Sequence, residues 1–234
     1  MSGSGGEPAG SGGTPDGSGG TPAGHHGAGK QGRGREYPRT SGWECADRII
    51  DEQLALTGEL IERVVDQVND LPCHALSFRP AGVGFSIAKL VLHLAESERR
   101  QLSRLAEAIT TRDASVTEAP GATEPIGSRG SLDSQTTAAL EHSHILSDKP
   151  VPDHFLDGVF LAEVMRSVFR NVTVPICRSI PSANAPLSEK SPFATPREAL
   201  THMHWHWTYH SGQIGLLRLQ WGDDYVWTLK DNSG

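Results

Sequence analysis

Four histidines lie close together near the C-terminal end of the sequence, at His202, His204, His206 and His210. On a helix with 3.6 residues per turn, His202, His206 and His210 would share one face, and His204 would point in nearly the opposite direction. Side chains four residues apart on a helix lie about 5–6 Å apart at Cβ, so two imidazoles can bind one divalent ion. The spacing predicts a metal-binding pair, either His202 with His206 or His206 with His210.

A third ligand must come from another element, because one helix offers only two ligands in this way. His93 is the best candidate, since it lies within a predicted helix, in the segment KLVLHL at 89–94, at the edge of the apolar stripe. His202 is the rival, but it would lie about 12 Å along the helix axis from His210, too far for both to reach one ion. Three histidines leave a metal ion one open position for water or substrate, as in catalytic sites. Packed histidines without a metal are also common, so the prediction depends on convergence in space.

Four segments carry apolar residues at helical spacing and are predicted to position these histidines. Ser86 is the predicted N-cap of the second segment, and Pro175 is expected to end or kink the third. The fourth has the clearest start, TPRE at 195–198, with an N-cap threonine, a proline at the first helical position and a capping-box glutamate. Gly222 is its predicted terminator. The predicted helices cover about residues 44–69, 85–110, 155–173 and 195–221.

These segments predict an all-α fold, a four-helix bundle with one long crossover connection. The connection, residues 111–152, is polar and far longer than the usual link of about 2–8 residues between helices of a bundle. It is expected to cross the surface, with a weak helical turn around residues 134–142. Residues 1–41 are rich in Gly, Ser and Pro and are predicted to form a disordered tail before a single domain at 42–234.

Composition and charge exclude several classes of protein. The formal net charge is −7, and no Lys/Arg cluster stands out in the predicted domain, so nucleic-acid binding is not expected. No apolar run reaches about 18 residues and none follows Met1, so neither a membrane span nor a secretory signal is expected. The three cysteines are widely spaced and form no CxxC pair, which favours a reducing, cytoplasmic location over a disulfide framework.

Two motifs resemble the DinB/YfiT-like superfamily of metal-dependent enzymes. The segment HWTYHSGQI at 206–214 is similar to the family's H-x-x-x-H pair, which is followed by a polar residue and Gly-Gln. The second predicted helix, with Ser-Ile at its start and HLAESE at 93–98, is similar to the family's signature of Ser, a later His and an acidic residue. The resemblance covers about residues 42–225. It implies that His93, His206 and His210 are the metal ligands and that His202 is a supporting or entrance residue.

The resemblance implies an antiparallel four-helix bundle that binds zinc, nickel or another divalent metal and forms a homodimer. It also implies a metal-dependent transferase that acts on a low-molecular-weight thiol and an electrophilic substrate. A hydrolase that uses metal-bound water is the alternative, and a non-enzymatic metal-binding or stress-related bundle is a third reading. Ser211 stands where a basic residue is frequent in the family, and the 111–152 connection is long, so the substrate preference and the site entrance stay open.

Glu96 is the one candidate catalytic side chain besides the histidines. It follows the lone histidine of the second helix by three residues. It could act as a base or orient a ligand, because metal-bound histidines normally donate their other N–H to an acceptor. The alternative is an ion pair with Arg99 or Arg100 on the helix surface.

Overall fold

The computed structural model of the chain describes residues 42–82, 84–116 and 131–223. Throughout these residues the regular structure is helical and no strand is present, which confirms the predicted all-α class. The predicted tail at 1–41 lies outside the described residues, as does the segment 224–234. The helices are α1 (Arg48–Val68), α2 (Cys73–Leu76), α3 (Ile87–Val116), α4 (Ser134–Leu140), α5 (Gly158–Val168), α6 (Val174–Arg178) and α7 (Pro196–Trp221).

The core lies between α1, α3, α5 and α7. Helix α1 packs against α5 and α7, and α3 packs against the same two helices. Apolar side chains at three- and four-residue steps form the buried faces, among them Leu54, Leu90, Leu161 and Met203, each at most 1 % exposed. Burial of one such side chain contributes about 1.5–3 kcal/mol to stability. None of the helices in the described part of the chain is long and apolar enough to cross a membrane.

Two helix boundaries differ from the periodic pattern for local reasons. Asp47 caps α1, because its Oδ1 accepts a hydrogen bond from the Ile49 backbone N–H at 2.7 Å, so the helix begins later than the predicted residue 44. Helix α3 begins directly after Ser86, whose Oγ accepts from a backbone N–H of the first turn at 3.3 Å, as predicted. It ends at Val116 and not near residue 110, since neither proline nor glycine interrupts the sequence there.

The third predicted helix, 155–173, is assembled from several pieces. Phe155 belongs to a separate 3₁₀ turn, and α5 begins only after Asp157, whose Oδ1 accepts from a backbone N–H of the first turn at 2.8 Å. Pro175 does not end the helix, because a π-helical turn at Phe169–Thr173 precedes it and α6 continues the helical path. The wider turn accommodates a ring that lacks an N–H and would clash with a carbonyl of the preceding turn.

The connection between α3 and α5 contributes to the core. The predicted helical turn is present as α4, but the connection is not confined to the surface, because Leu140 and Val151 are buried. Lys89 of α3 is buried as well and donates hydrogen bonds to the backbone carbonyls of Ser147 and, at 2.6 Å, Lys149. The polar composition of the segment does not reveal the few side chains that reach the core.

Helix α7 begins and ends as predicted. The Thr195 Oγ1 accepts from the Glu198 backbone N–H at 3.3 Å, and the Glu198 carboxylate accepts from the Ala194 N–H at 2.9 Å. Gly222 follows the last turn with a φ of +99°, a left-handed conformation that glycine adopts without steric cost. This defined start sets the helical phase of the four histidines on α7.

A buried carboxylate connects α3 to α7. Glu98 is 1 % exposed and accepts hydrogen bonds from Trp207 Nε1 at 2.7 Å and from the Thr173 hydroxyl. Burial raises the pKa of Glu98 from its usual 4.5 to about 7, against the opposing effect of the two hydrogen bonds. The folded protein therefore holds a proton on Glu98 over a pH range in which the unfolded chain has released it.

We expect Glu98→Gln to remove a pH-dependent part of the stability. As the pH rises through this range, the free energy of unfolding of the wild type should fall relative to that of the variant by about 3 kcal/mol. The reason is that the unfolded wild type releases the Glu98 proton at a lower pH than the folded wild type does, whereas the variant has no such proton. Glutamine keeps an acceptor oxygen for Trp207. Urea unfolding of both proteins on the two sides of the range measures the difference, and a difference that stays the same on both sides would contradict the expectation.

Candidate metal centre

The structure brings together the three histidines that the resemblance assigns as ligands. His93 on α3 and His206 and His210 on α7 have their ligand nitrogens within 4.8 Å of one another. The Nε2 atoms of His93 and His206 are 3.2 Å apart, although 113 positions separate the two residues in the chain. The three ring centroids lie 4.5–5.1 Å from each other, with the rings edge to face. Three imidazoles from two helices therefore meet in one region.

The other two histidines of α7 lie elsewhere, as their helical phase indicates. His204 points toward α1, where its Nε2 lies 2.9 Å from the Thr57 Oγ1, and it is 8 % exposed. His202 lies one turn before His206, and its ring packs against Phe193 with 5.3 Å between centroids. His204 thus serves the packing of α7 on α1, and His202 stands outside the three-histidine cluster.

Polar contacts on both sides of α7 set its rotation. Trp207 donates its hydrogen bond to Glu98 on α3. The Ser211 Oγ accepts from Gln67 Nε2 on α1 at 2.8 Å, and both side chains are buried. His206 and His210 each directly precede one of these two anchored residues, so the anchors turn both imidazoles toward α3.

The nitrogen spacing fits a divalent ion. Two ligands of a tetrahedral ion with Zn–N distances of about 2.0–2.1 Å lie about 3.4 Å apart, close to the 3.2 Å between the Nε2 atoms of His93 and His206. In the described residues, the group that could hold a metal consists of the three histidines alone. A tetrahedral ion held by three imidazoles keeps a fourth position open for an exchangeable ligand.

Hydrogen bonds on the far side of the rings orient two of the imidazoles. The His210 Nδ1 donates to Gln213 Oε1 at 2.6 Å, which leaves its Nε2 for a metal. His93 forms a hydrogen bond with the backbone of Ser143. Metal-binding histidines normally donate their second N–H to an acceptor of this kind. The sequence does not indicate the role of Ser143, because a backbone contact from an irregular segment depends on no particular side chain. Gln213, in contrast, belongs to the Gly-Gln pair of the motif.

Burial keeps the three imidazoles neutral near neutral pH. Burial, together with the smaller effect of the nearby His210, lowers the pKa of His93 to about 4 and that of His206 to about 3. Burial also lowers the pKa of His210 itself. Metal ions bind the neutral form of imidazole, so protons would compete with a metal for these nitrogens only in acid.

Glu96 forms ion pairs with two arginines of its own helix. Its carboxylate accepts hydrogen bonds from Arg99 at 2.6 and 2.7 Å and from Arg100 at 2.5 Å, which is the ion pair that the sequence left as an alternative. Burial alone would raise the pKa of Glu96, but the hydrogen bonds from the two arginines lower it below its usual value. The carboxylate is therefore ionised and directed at the arginines.

A cavity of about 610 Å³ lies between α3, the first turns of α7 and residues 188–193. Leu105, Ala108 and Phe193 make part of its wall apolar, and His202 contributes an imidazole. His202 lies one helical turn, about 6 Å along the axis, before the candidate ligand His206. Cavities of this size are typical of small-molecule sites. His93, His206 and His210 do not line this one, and His202 is its lining residue nearest to them along α7.

We expect substitution of any one of the three histidines to weaken metal binding about a hundredfold or more, because each substitution removes one of three protein ligands. The variants are His93→Gln, His206→Gln and His210→Gln. His202→Gln and His204→Gln are matched controls on α7 and should bind the metal as the wild type does. Calorimetric titration with Zn²⁺, together with the absorption of bound Co²⁺, measures affinity and coordination. Equal loss in all five variants, or loss with His202→Gln but not with His93→Gln, would show that the site is assigned wrongly.

Gln213→Ala should weaken metal binding by about ten- to a hundredfold, because it removes the acceptor that orients His210 while leaving all three ligands in place. Gln220→Ala changes an exposed glutamine of the same helix and is the control. The same Zn²⁺ titration compares the two variants. Unchanged affinity in Gln213→Ala would mean that its hydrogen bond does not support the ligand.

The candidate site thus consists of three neutral imidazoles from two helices and two outer hydrogen bonds that orient two of them, with a cavity one helical turn away along α7. Its polar anchors reach from α7 to both α1 and α3. Comparison of the chain with protein-family models, with curated proteins and with solved structures found no match.

Proposed function

We propose that this protein is a metal-dependent transferase of the DinB/YfiT-like superfamily, which joins a low-molecular-weight thiol to an electrophilic substrate. The observation that carries the proposal is the convergence of His93, His206 and His210 within 4.8 Å. Their neutral imidazoles and the open fourth position suit a site at which a small molecule exchanges. Membership of the superfamily is part of the proposal and rests on the two motifs that supply these histidines.

The fold that we propose is an antiparallel four-helix bundle, with α5 and α6 together as its third member. It is supported by the packing of α1 and α3 each against both α5 and α7, which closes a ring of four contacts. We further propose a cytoplasmic location. Cys45, Cys73 and Cys177 are free thiols, which suits a reducing compartment.

Zn²⁺ or Ni²⁺ at this centre would supply a positive charge that lowers the pKa of a bound thiol and favours its thiolate form. The protein's own residues prepare the site for that ion. His93, His206 and His210 are neutral without having to lose a proton, while Gln213 and the backbone of Ser143 hold two of the rings in place. Partial burial of the cluster keeps bulk water from the sulfur, and a less solvated thiolate is a stronger nucleophile.

The position of Glu96 favours transfer over hydrolysis. Water is a far weaker acid than a thiol, so metal-dependent hydrolases commonly add a carboxylate that takes a proton from the attacking water. Glu96 is held by Arg99 and Arg100 and has a lowered pKa, which makes it a poor proton acceptor. A thiol that ionises at a cationic centre releases its proton to solvent and needs no such base.

The cavity beside the histidines is the proposed site of the electrophile. Its apolar wall suits a substrate with an apolar body, and Arg104 and Lys190 at its lining suit an anionic group on that substrate. In the reaction, the thiolate sulfur forms a bond to an electrophilic carbon, and the bond from that carbon to its leaving group breaks. The leaving group departs as an anion with the bonding electron pair.

We expect the Zn²⁺- or Ni²⁺-loaded protein to conjugate a small thiol with 1-chloro-2,4-dinitrobenzene, releasing chloride. A panel of free cysteine and cysteine-containing peptides and glycosides identifies the thiol. His206→Gln should lower kcat/KM about a hundredfold or more, since it removes a ligand of the ion. Hydrolysis of activated esters without any dependence on a thiol would instead support the hydrolase alternative.

Ala108→Trp, which fills part of the cavity, separates the roles of cavity and metal. It should raise KM for the electrophile about tenfold or more while the metal content stays at the wild-type level. Glu107→Gln is the control, because it alters the same lining without filling it. Wild-type kinetics in Ala108→Trp would remove the cavity from the proposed site, and absence of thiol transfer with every thiol and metal tested would contradict the function itself.

A further inference from the structure

The cavity and the candidate metal centre follow each other along the same pair of helices, α3 and α7. At one point His93 of α3 meets His206 and His210 of α7. The cavity lies further along α3, where the residues that line it include Arg104 on α3 and His202 on α7. As α3 advances from His93, the facing residues of α7 therefore run back toward the first turn of that helix. We call this line of contact between the two helices the α3–α7 seam.

Helical phase places the cavity and the metal centre on the same faces of the two helices. Arg104 follows His93 by eleven residues, which returns it to within about 20° of the same face of α3, about 16 Å further along the axis. Arg100 lies within about 20° of that face as well. On α7, His202 is one turn before His206 and about 40° from it. A ligand in the cavity can therefore extend along the seam toward the metal centre without passing to another side of the fold.

A row of aromatic rings accompanies the seam on the α7 side. Phe193 at the cavity packs against His202, with 5.3 Å between ring centroids, and His202 lies 5.8 Å from Trp205. Trp205 stacks on Tyr209 at 5.6 Å with 15° between planes, and Tyr209 lies 5.1 Å from the candidate ligand His210. Trp205 is 60 % exposed and Tyr209 52 %. The ring row, which we define as Phe193, His202, Trp205 and Tyr209, thus offers the apolar body of a ligand a continuous surface from the cavity to the metal centre.

Cationic side chains lie at the end of the seam away from the metal centre. Arg104 and Lys190 line the cavity, and neither side chain forms an ion pair or a hydrogen bond with another of the residues that the structure describes. Glu107 is the only carboxylate in the described lining, so two cations share the cavity with one anion. Arg100, which is nearer to the metal centre, is already paired with Glu96. An anionic group on a ligand would therefore find its unpaired partners in the cavity.

We propose that the α3–α7 seam binds an elongated amphipathic anion and that such molecules are the electrophilic substrates, an inference that rests on the proposed function. The anionic group pairs with Arg104 and Lys190, the apolar body lies along the cavity wall and the ring row, and the electrophilic carbon lies at the metal centre. The anionic group and that carbon are about 10–16 Å apart, because Arg104 is about 16 Å along the axis from His93 and helical side chains lean toward the N-terminus. The length between the two groups therefore determines which substrates react.

Calorimetric titration of the metal-free full chain with dodecanoate tests the anion site apart from any reaction. Dodecanoate should bind, and Arg104→Gln should weaken its binding about tenfold or more, because the variant removes a charged partner of the carboxylate. Arg197→Gln is the matched control, since Arg197 is exposed on the first turn of α7 and does not line the cavity. Absence of binding, equal weakening in the two variants, or binding that requires Zn²⁺ and is unaffected by Arg104→Gln would overturn the proposal.

A pair of bromoalkanoates of different length tests the substrate class. The thiolate sulfur forms a bond to the terminal carbon, the carbon–bromine bond breaks, and bromide leaves with the bonding electron pair. With the metal-loaded protein and a thiol that it conjugates to 1-chloro-2,4-dinitrobenzene, kcat/KM for 12-bromododecanoate should exceed that for 4-bromobutanoate about tenfold or more. Arg104→Gln should remove this preference, and Arg197→Gln should keep it.

The two reactions separate this inference from the proposed function. Transfer to 1-chloro-2,4-dinitrobenzene without a preference for the longer bromoalkanoate, or a preference that Arg104→Gln leaves unchanged, would overturn the substrate class and leave the transferase standing. Absence of transfer to any electrophile would contradict the proposed function, and the substrate role of the anion with it, even if dodecanoate binds.

Discussion

The hydrogen bond between Glu98 and Trp207 is the contact on which the arrangement of the site depends. It joins α3 and α7 in the interior at 2.7 Å, five residues after His93 on one helix and one residue after His206 on the other. An unpaired carboxylate or indole N–H would be costly in this apolar setting, so sliding or rotating α7 against α3 would lose more than van der Waals contact. The same geometry that satisfies these two groups brings the rings of His93 and His206 within 5.1 Å, edge to face.

Each face of α7 makes a different set of contacts. His204 and Ser211 bond to α1, Trp207 bonds to α3, His206 and His210 face the candidate metal centre, and Trp205, Tyr209, Leu216 and Leu219 are exposed. A helix with so many buried polar side chains cannot be fixed in one orientation by apolar packing alone. Its orientation comes from individual hydrogen bonds between buried groups, each of which has few alternative partners once the helix is packed. Imidazoles presented by such a helix are held close to one geometry before any ion binds, which lowers the entropic cost of binding.

The sequence predicted those features whose causes are local. The start of α7 at TPRE and its end at Gly222 follow from capping chemistry within a few residues, and the separation of His204 from His206 follows from helical phase. The position of His93 at the edge of an apolar helical stripe made it the best candidate for the third ligand, and the family resemblance implied the same assignment. No local rule brings together residues so far apart in the chain, so their contact could not be derived from the sequence. The support of His93 by Ser143, the anchoring of the long connection by Lys89 and the cavity wall at 188–193 all depend on tertiary contacts. Composition and hydrophobic periodicity carry no information about such tertiary contacts, and the polar average of a segment hides its few buried residues.

We propose that His93, His206 and His210 bind one divalent ion that keeps an exchangeable position. X-ray absorption of the Zn²⁺-loaded wild type, with and without a small thiol, measures it most directly. The account predicts three imidazole nitrogens at about 2.0–2.1 Å plus one oxygen from solvent, and replacement of that oxygen by a sulfur at about 2.3 Å when thiol is added. A coordination shell of four protein ligands that does not change with thiol, or a shell with fewer than three imidazoles, would contradict the account.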